Sequence, residues 1–359
     1  MPETRNLTDI RSLDLVQMED EFTRMGEKTF RARQVYDWLW NKSVTDFHRM
    51  TNLPLDFRNR LEENYALHPA LPDVSQVSAD RTIKAAFRLH DGNFIESVLI
   101  PRKNRMTVCL SSQAGCSLAC RFCATGYLER KRNLEAGEIY DQVVQMNRWS
   151  KEKYDTGITN IVFMGMWEPL LNYNNVMRAI GLITSVEGLN FAARRITLST
   201  AGIAKMIRKL ADDGAKFRLA LSLHAADDEK RSRIMPINES NSLGAVREAL
   251  EYFSQATRNL ITFEYILFKD FNDSPEDAEK LYRYTKTVPC KINIIEYNPI
   301  READFKNADP ERTAMFAAYL QDKGVNVKIR KSRGKDIDAA CGQLANRKTG
   351  GDLFPASLE

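Results

Sequence analysis

The feature that most constrains this chain is an alternation. Strand-like runs occupy 106–111, 159–165, 195–201, 217–224, 261–268, 291–298 and 325–331. Helix-like runs fill the intervals, at 134–151, 174–186, 203–213, 243–255, 275–285 and 310–323. Strands separated by amphipathic helices over this length demand an α/β fold with a parallel sheet, because parallel neighbours need a crossover between them. Six strand–helix units and a last strand are too few for an eightfold barrel, so the expectation is a partial (β/α)6 barrel. In such sheets the chemistry gathers beyond the carboxyl ends of the strands. The polar residues of this chain fall there: 113–123 after the first strand, 165–168 after the second, Ser199 and Thr200 at the third. Ser222 and His224 end the fourth, Asn298 ends the sixth, and Cys341 lies past the last.

Ahead of this region the pattern changes. Periodic segments at 14–25, 30–42 and 55–66 predict a small helical module, the first stopping at Gly26 and the third starting after Pro54. Two strand-like runs, 82–89 and 93–100, flank Asp91-Gly92, a hairpin signal. The expected organisation is a helical accessory domain over 1–75, a β-hairpin extension over 76–104, the partial barrel over 105–333 and a terminal loop over 334–359. No run of apolar residues is long enough to span a bilayer, and the first residues lack the apolar stretch of a secretory signal. A cytoplasmic, monomeric protein without membrane contact is expected. The net charge of +4 neither argues for a polyanionic partner nor against one, since a small average can hide a basic face.

Three of the six cysteines, Cys116, Cys120 and Cys123, sit in GCSLACRFCATG with spacing C-x₃-C-x₂-C. Thiolates are the standard ligands of iron–sulfur clusters, and three of them leave one iron of a four-iron cluster open. A structural zinc site would want four ligands, and no fourth Cys or His lies nearby. Three buried core cysteines within eight residues, on a polar loop after a strand, would be unusual. An electron carrier fits poorly, because it would close the cluster with a fourth thiolate.

With Phe122 before its last cysteine, this loop resembles the radical S-adenosylmethionine signature. The segments MTVCLSSQAGCSLACRFCATG, FMGMWEPLLN, RRITLSTAG, LSLHA, MPIN, CKINIIEYNP and RGKDIDAACGQL are similar to the RlmN family, in that family's order. The resemblance implies methylation of carbon 2 of adenosine in large-subunit (23S) ribosomal RNA and in tRNA. It implies a [4Fe-4S] cluster on Cys116, Cys120 and Cys123, and two molecules of S-adenosylmethionine per turnover. One molecule methylates Cys341 by displacement. The second yields a 5′-deoxyadenosyl radical that activates this methyl group for addition to the adenine. A disulfide between Cys341 and Cys109 then frees the product. An electron donor such as flavodoxin or ferredoxin is implied as well.

By itself Cys109, in VCL, reads as a small buried apolar residue, and Cys290, at a strand start, keeps that reading. Glu96 in FIESVLIP reads as a strand carboxylate; the resemblance makes it the proton acceptor. Ser199, Ser222, Leu223, His224 and Asn298 match positions at which the family holds S-adenosylmethionine, as do Trp167 and Glu168. Here the chain departs: the family has glycine where Trp167 stands. Glycine permits close backbone approach that a large ring does not. The indole is either tolerated, turned away, or it alters the cofactor site. For RNA, Lys28, Arg31, Arg33, Trp38, Trp40 and Lys42 in the helical module are candidates. Arg121, Arg130, Lys131 and Arg132 around the cluster loop are the stronger ones. Two alternatives stay open: a Cfr-type enzyme acting on carbon 8, disfavoured by Pro169 where that type tends to have alanine, and an RNA-binding homologue impaired by Trp167.

Overall fold

The structure is a computed structural model that describes residues 7–166 and 168–345 and the backbone of 353–355. The helical module comes first: α1 (Leu15–Arg24), α2 (Phe30–Tyr36) and α3 (Leu55–Asn64). Asp14 and Gln17 cap α1 reciprocally, and Gly26, at φ +79°, supplies the left-handed turn that stops it. The segment expected as one helix over 30–42 widens after Tyr36 into a π-type turn, Asp37–Asn41. Trp40 in that turn is fully buried, edge-on to Tyr140 with 5.2 Å between ring centroids. Its carbonyl accepts from the Tyr140 hydroxyl. Trp40 is therefore a packing residue that ties the module to the barrel, not a base-stacking platform.

Four antiparallel strands follow: β1 (Leu71–Val77), β2 (Ile83–Arg88), β3 (Phe94–Arg102) and β4 (Arg105–Leu110). The expected hairpin is β2–β3, turning at Gly92 with φ +80°. Strand β1 was not expected, and the boundary placed at residue 75 falls inside it. Its sequence, LPDVSQV, alternates poorly, and its pairing with β2 shifts register at Pro72/Val74. The hairpin extends the main sheet, since β3 pairs along β4.

Short β5 (Gln113–Ala114) and β6 (Arg132–Asn133) pair with each other beside the cluster loop. Then α4 (Ala136–Tyr154), β7 (Asn160–Phe163), α5 (Tyr173–Thr184), β8 (Ile196–Thr200), α6 (Ala204–Asp212) and β9 (Arg218–Ser222) alternate as anticipated. A short α7 (Asp228–Ile234), not foreseen, precedes α8 (Leu243–Thr257), β10 (Ile261–Ile266), α9 (Pro275–Thr285), β11 (Cys290–Ile295), α10 (Pro310–Asp322) and β12 (Asn326–Arg330). Residues 353–355 form β13, against β1. The sheet runs β12-β11-β10-β9-β8-β7-β4-β3-β2-β1-β13, parallel from β12 to β4 and antiparallel beyond. All of β10, ITFEYI, is buried, as expected for a strand with helices outside and a filled lumen inside. One cavity is lined by Val98 of β3, Cys109 of β4 and Arg330 of β12. Strands seven places apart in the sheet can share a cavity only if it curls until its end strand faces β3 and β4. That is the expected partial barrel. No described helix is long and apolar enough to cross a membrane.

Arg11 locks the module to the barrel. Its guanidinium is buried, 3.1 Å from Asp9 and 2.9 Å from Asp141 of α4, and it donates to the His68 carbonyl at 2.6 Å. Removing one partner of a buried ion network leaves uncompensated charge and costs about 3–5 kcal/mol. Arg11→Ala should accordingly lower stability to urea by that amount. A change below about 1 kcal/mol would show that the two carboxylates find other partners.

Candidate active site

The cluster loop is shaped by glycines where no side chain fits. At Gly115, φ +79°, a Cβ would lie 2.2 Å from the Glu129 carbonyl oxygen. At Gly126 a Cβ would lie 2.7 Å from the Cys120 carbonyl oxygen. The loop folds tightly on itself, with Cys123 N–H donating to Cys120 O and Gly126 N–H to Cys123 O. Cys116, Cys120 and Cys123 all face one cavity, which Ser199, Ser222 and His224 also line. Burial pushes all three thiols up, Cys116 to about 12. Three buried thiols on one loop, in a cavity that admits further atoms, fit a three-thiolate cluster with an open iron. Among the described residues no three Cys, His, Asp or Glu converge as ligands of a single ion.

His224 has positive φ (+57°) and is buried. Burial and the nearby Arg231 push its pKa down to about 3, so the ring is neutral. Its Nδ1 accepts from Ile266 N–H at 3.1 Å, which places the ring proton on Nε2, a donor. Phe122 packs edge-on to it at 4.8 Å. Ser199 and Ser222 hydroxyls lie 3.5 Å apart. Glu168 is fully buried and accepts from the N–H groups of Ala201 (2.7 Å) and Leu170 (3.0 Å); burial pushes its pKa up to about 7. It holds the end of β8 rather than lining the cavity. Leu223 is buried behind the wall, its N–H on the Glu264 carbonyl. Trp167 lies outside the described residues.

The described part of the terminal loop, 334–345, is pinned. Gly342 O accepts from Ala124 N–H (2.7 Å) and Leu344 O from the Thr125 hydroxyl (2.6 Å). Asn298 Nδ2 donates to Cys341 O at 3.0 Å, and Ala345 N–H donates to Glu96 Oε2 at 2.8 Å. Glu96 is thus buried beneath the loop, with Lys84 Nζ at 3.5 Å. Cys341 faces this cavity and a second one that Cys109 also lines. Cys341 is itself open to solvent, yet the protein packed around it disfavours its thiolate and raises the thiol; burial raises Cys109 as well. Both are free thiols here, so the structure holds no disulfide between them. Cys290 opens β11, at the far end from this site.

Sequence reasoning missed two residues. Glu264, buried in β10, lines both cavities and accepts from Asn293 Nδ2 at 2.8 Å. A lone acid in the apolar run ITFEYI was the available signal. Arg231 is fully buried and donates to the carbonyls of Leu223, Ala201 and Ser222, binding two strand ends together. Nothing in the charged stretch DDEKRSR distinguishes it from a solvated residue. The basic run beside the cluster loop is largely neutralised: Lys131 pairs with Glu129 at 2.5 Å, Arg132 with Asp91 at 2.5 Å and with Glu138 at 2.7 Å. In the helical module Arg33 pairs with Glu19 and Lys42 with Asp37.

Two family profiles match this chain: the ribosomal RNA large subunit methyltransferase N-terminal domain over residues 6–67, and the radical SAM superfamily over 110–284. A Cytophaga hutchinsonii protein named probable dual-specificity RNA methyltransferase RlmN is 58% identical over 94% of this chain and 92% of its own. A Streptococcus thermophilus protein of the same name is 42% identical over 93% and 87%. The crystal structure of a radical SAM methyltransferase from Sphaerobacter thermophilus superposes with a TM-score of 0.88 at 40% identity, covering 94% of this chain and 99% of that one.

Proposed function

The chain belongs to the RlmN family of radical S-adenosylmethionine RNA methyltransferases, and from this premise we propose that it methylates carbon 2 of adenosine in large-subunit ribosomal RNA and in tRNA, with Cys341 as methyl carrier. When bound, the [4Fe-4S] cluster and S-adenosylmethionine supply the methyl group and the radical chemistry. The observation that carries the reading is the position of Cys341, on the wall between the cavity of the three cluster cysteines and the cavity of Cys109. A carrier thiol must meet the cofactor on one side and the acceptor on the other. Cys109, which lines the same cavity as Cys341, would attack the Cys341 sulfur: the new S–S bond replaces the S–C bond, and the released carbon takes a proton to become methyl. Glu96, buried within β3, would accept the proton lost from the ring carbon once Ala345 yields its place on Oε2, the odd electron left by the radical addition returning to the redox chain that supplied it. Cys116, Cys120 and Cys123 would hold the cluster; Ser199, Ser222, His224 and Asn298 would orient the cofactor. The electron reaches the cluster from a flavodoxin- or ferredoxin-type donor.

Nucleoside mass spectrometry of RNA treated with the reconstituted protein tests this. 2-Methyladenosine is expected. 8-Methyladenosine would move the chain to the Cfr type, and unmodified RNA beside a loaded cluster would mark an impaired homologue. Trp167, where the family has glycine, bears on the last outcome. An indole crowding the cofactor would cost about 1–3 kcal/mol, or roughly tenfold to over a hundredfold in affinity. Trp167→Gly should tighten S-adenosylmethionine binding by that factor in equilibrium dialysis. Equal affinity in both forms would mean the ring is accommodated.

A further inference from the structure

The second cavity at Cys341 opens where the barrel fails to close. Arg102 and Arg105 of β3 and β4 border it on one side, and Arg330, Lys331 and Arg333 at the end of β12 on the other. The same sign continues along the strand starts. Alternation puts Arg105 on the face of Cys109, Arg218 on that of Ser222, Lys291 on that of Ile295 and Lys328 on that of Arg330. Arg195, directly before β8, falls on the face of Ser199. Four of the seven parallel strands therefore carry a cation on the inner face within a residue of their start, and Lys328 adds one midway along β12. Neighbouring surface clefts carry Lys103, Arg194, Arg195 and Arg218 around the same rim. Among the described residues, Arg105, Arg218, Lys291, Lys328 and Arg330 make no ion pair. Burial and the like charges of Arg330, Arg333 and Arg105 push the Arg102 pKa down. Such a ring repels itself and gains stability from a polyanion.

Resting on the methyltransferase reading above, we infer that the RNA lays its phosphate backbone on this rim and sends the target base through the gap to Cys341. It enters from the side opposite the cofactor. The arrangement divides the work across the sheet. Cofactor and cluster sit at the carboxyl ends of the strands; the cation rim runs along the amino ends and across the open seam to the end of β12, and Cys341 faces both. Apolar Val98, Ile100, Val162 and Met164 line the passage between rim and thiol, a surface suited to a flat base rather than to phosphate. An acidic electron-carrier protein could also be drawn to a basic face. The rim, however, leads to Cys109 and Cys341, whereas the cluster cysteines border the other cavity.

The test compares the wild-type protein, an Arg105→Ala/Arg218→Ala/Lys328→Ala variant, and an Arg130→Ala/Lys131→Ala variant. All five side chains are exposed, so folding should survive, and thermal melting checks that it does. Binding of a transcribed tRNA is measured across a salt series. The rim variant should weaken binding roughly tenfold or more and flatten the log–log salt slope by about 2–2.7, at about 0.7–0.9 for each phosphate no longer neutralised. The Arg130/Lys131 variant should change the slope by less than about one. A rim variant with unchanged slope overturns the inference while leaving the methyltransferase reading intact. So does a rim variant that binds tRNA normally but is no longer reduced by flavodoxin, which would assign the rim to the electron donor. A wild-type protein that neither binds tRNA nor methylates any RNA sinks the underlying reading as well.

Discussion

Cys109→Ala should leave RNA and protein joined as one covalent species. Once the methylene carbon bridges Cys341 and the adenine, release needs a nucleophile for the Cys341 sulfur, and a thiolate within disulfide reach is the natural one. Cys109 borders the cavity that Cys341 faces. Cys290 begins β11, five residues before Ile295 of the cavity wall, or about 16 Å along the strand. Its thiol donates instead to the Thr285 carbonyl. The Cys109 variant should therefore run through roughly a single event per chain and stop. On a denaturing gel with labelled RNA it should show a slow band that Cys290→Ala does not. Burial holds the Cys109 thiol above its ordinary pKa, so near neutrality it is protonated and the thiolate fraction grows with pH. Release by the wild-type protein should then quicken by roughly tenfold per pH unit above neutral. If Cys109→Ala frees methylated RNA at the wild-type rate, the division of roles among the cysteines is wrong.

Cys116→Ala should abolish the cluster. Anaerobic reconstitution of the wild-type chain should give about four irons, held by three thiolates with one iron open. Losing one of only three ligands leaves two thiols that cannot hold a cuboidal cluster. Iron should fall to near background, and reductive cleavage of S-adenosylmethionine should vanish. The variant loses one long contact, Leu118 N–H on Cys116 Sγ at 3.5 Å, while the backbone hydrogen bonds among Cys120, Cys123 and Gly126 stay, so circular dichroism should be unchanged. Cys290→Ala, outside the loop, should retain the full complement. A full complement of iron on Cys116→Ala would refute the assignment of this loop as the cluster site.

Much of this was legible in the chain before any coordinates. The seven parallel strands, six of the helices between them, the stop at Gly26 and the turn at Gly92 are local matters of periodicity and backbone freedom, which neighbouring residues settle among themselves. The cluster loop was legible for the same reason, since its three ligands lie within eight residues. Strand β1 was not, because LPDVSQV has no clean alternation of its own and becomes a strand only by pairing with β2. Nor was the fate of the charges. Arg132 reads as a free cation until the hairpin brings Asp91 to it and α4 brings Glu138. Arg105, Arg218 and Lys328, far apart in sequence and individually ordinary, become one rim only when the sheet curls. The elements and their order follow from the chain's local pattern, because dihedral preference and side-chain period act over a few residues. Which cations are answered by carboxylates, and which thiol shares a cavity with Cys341, were settled by long-range packing. Those outcomes depend on which distant segments the curled sheet brings within reach of one another.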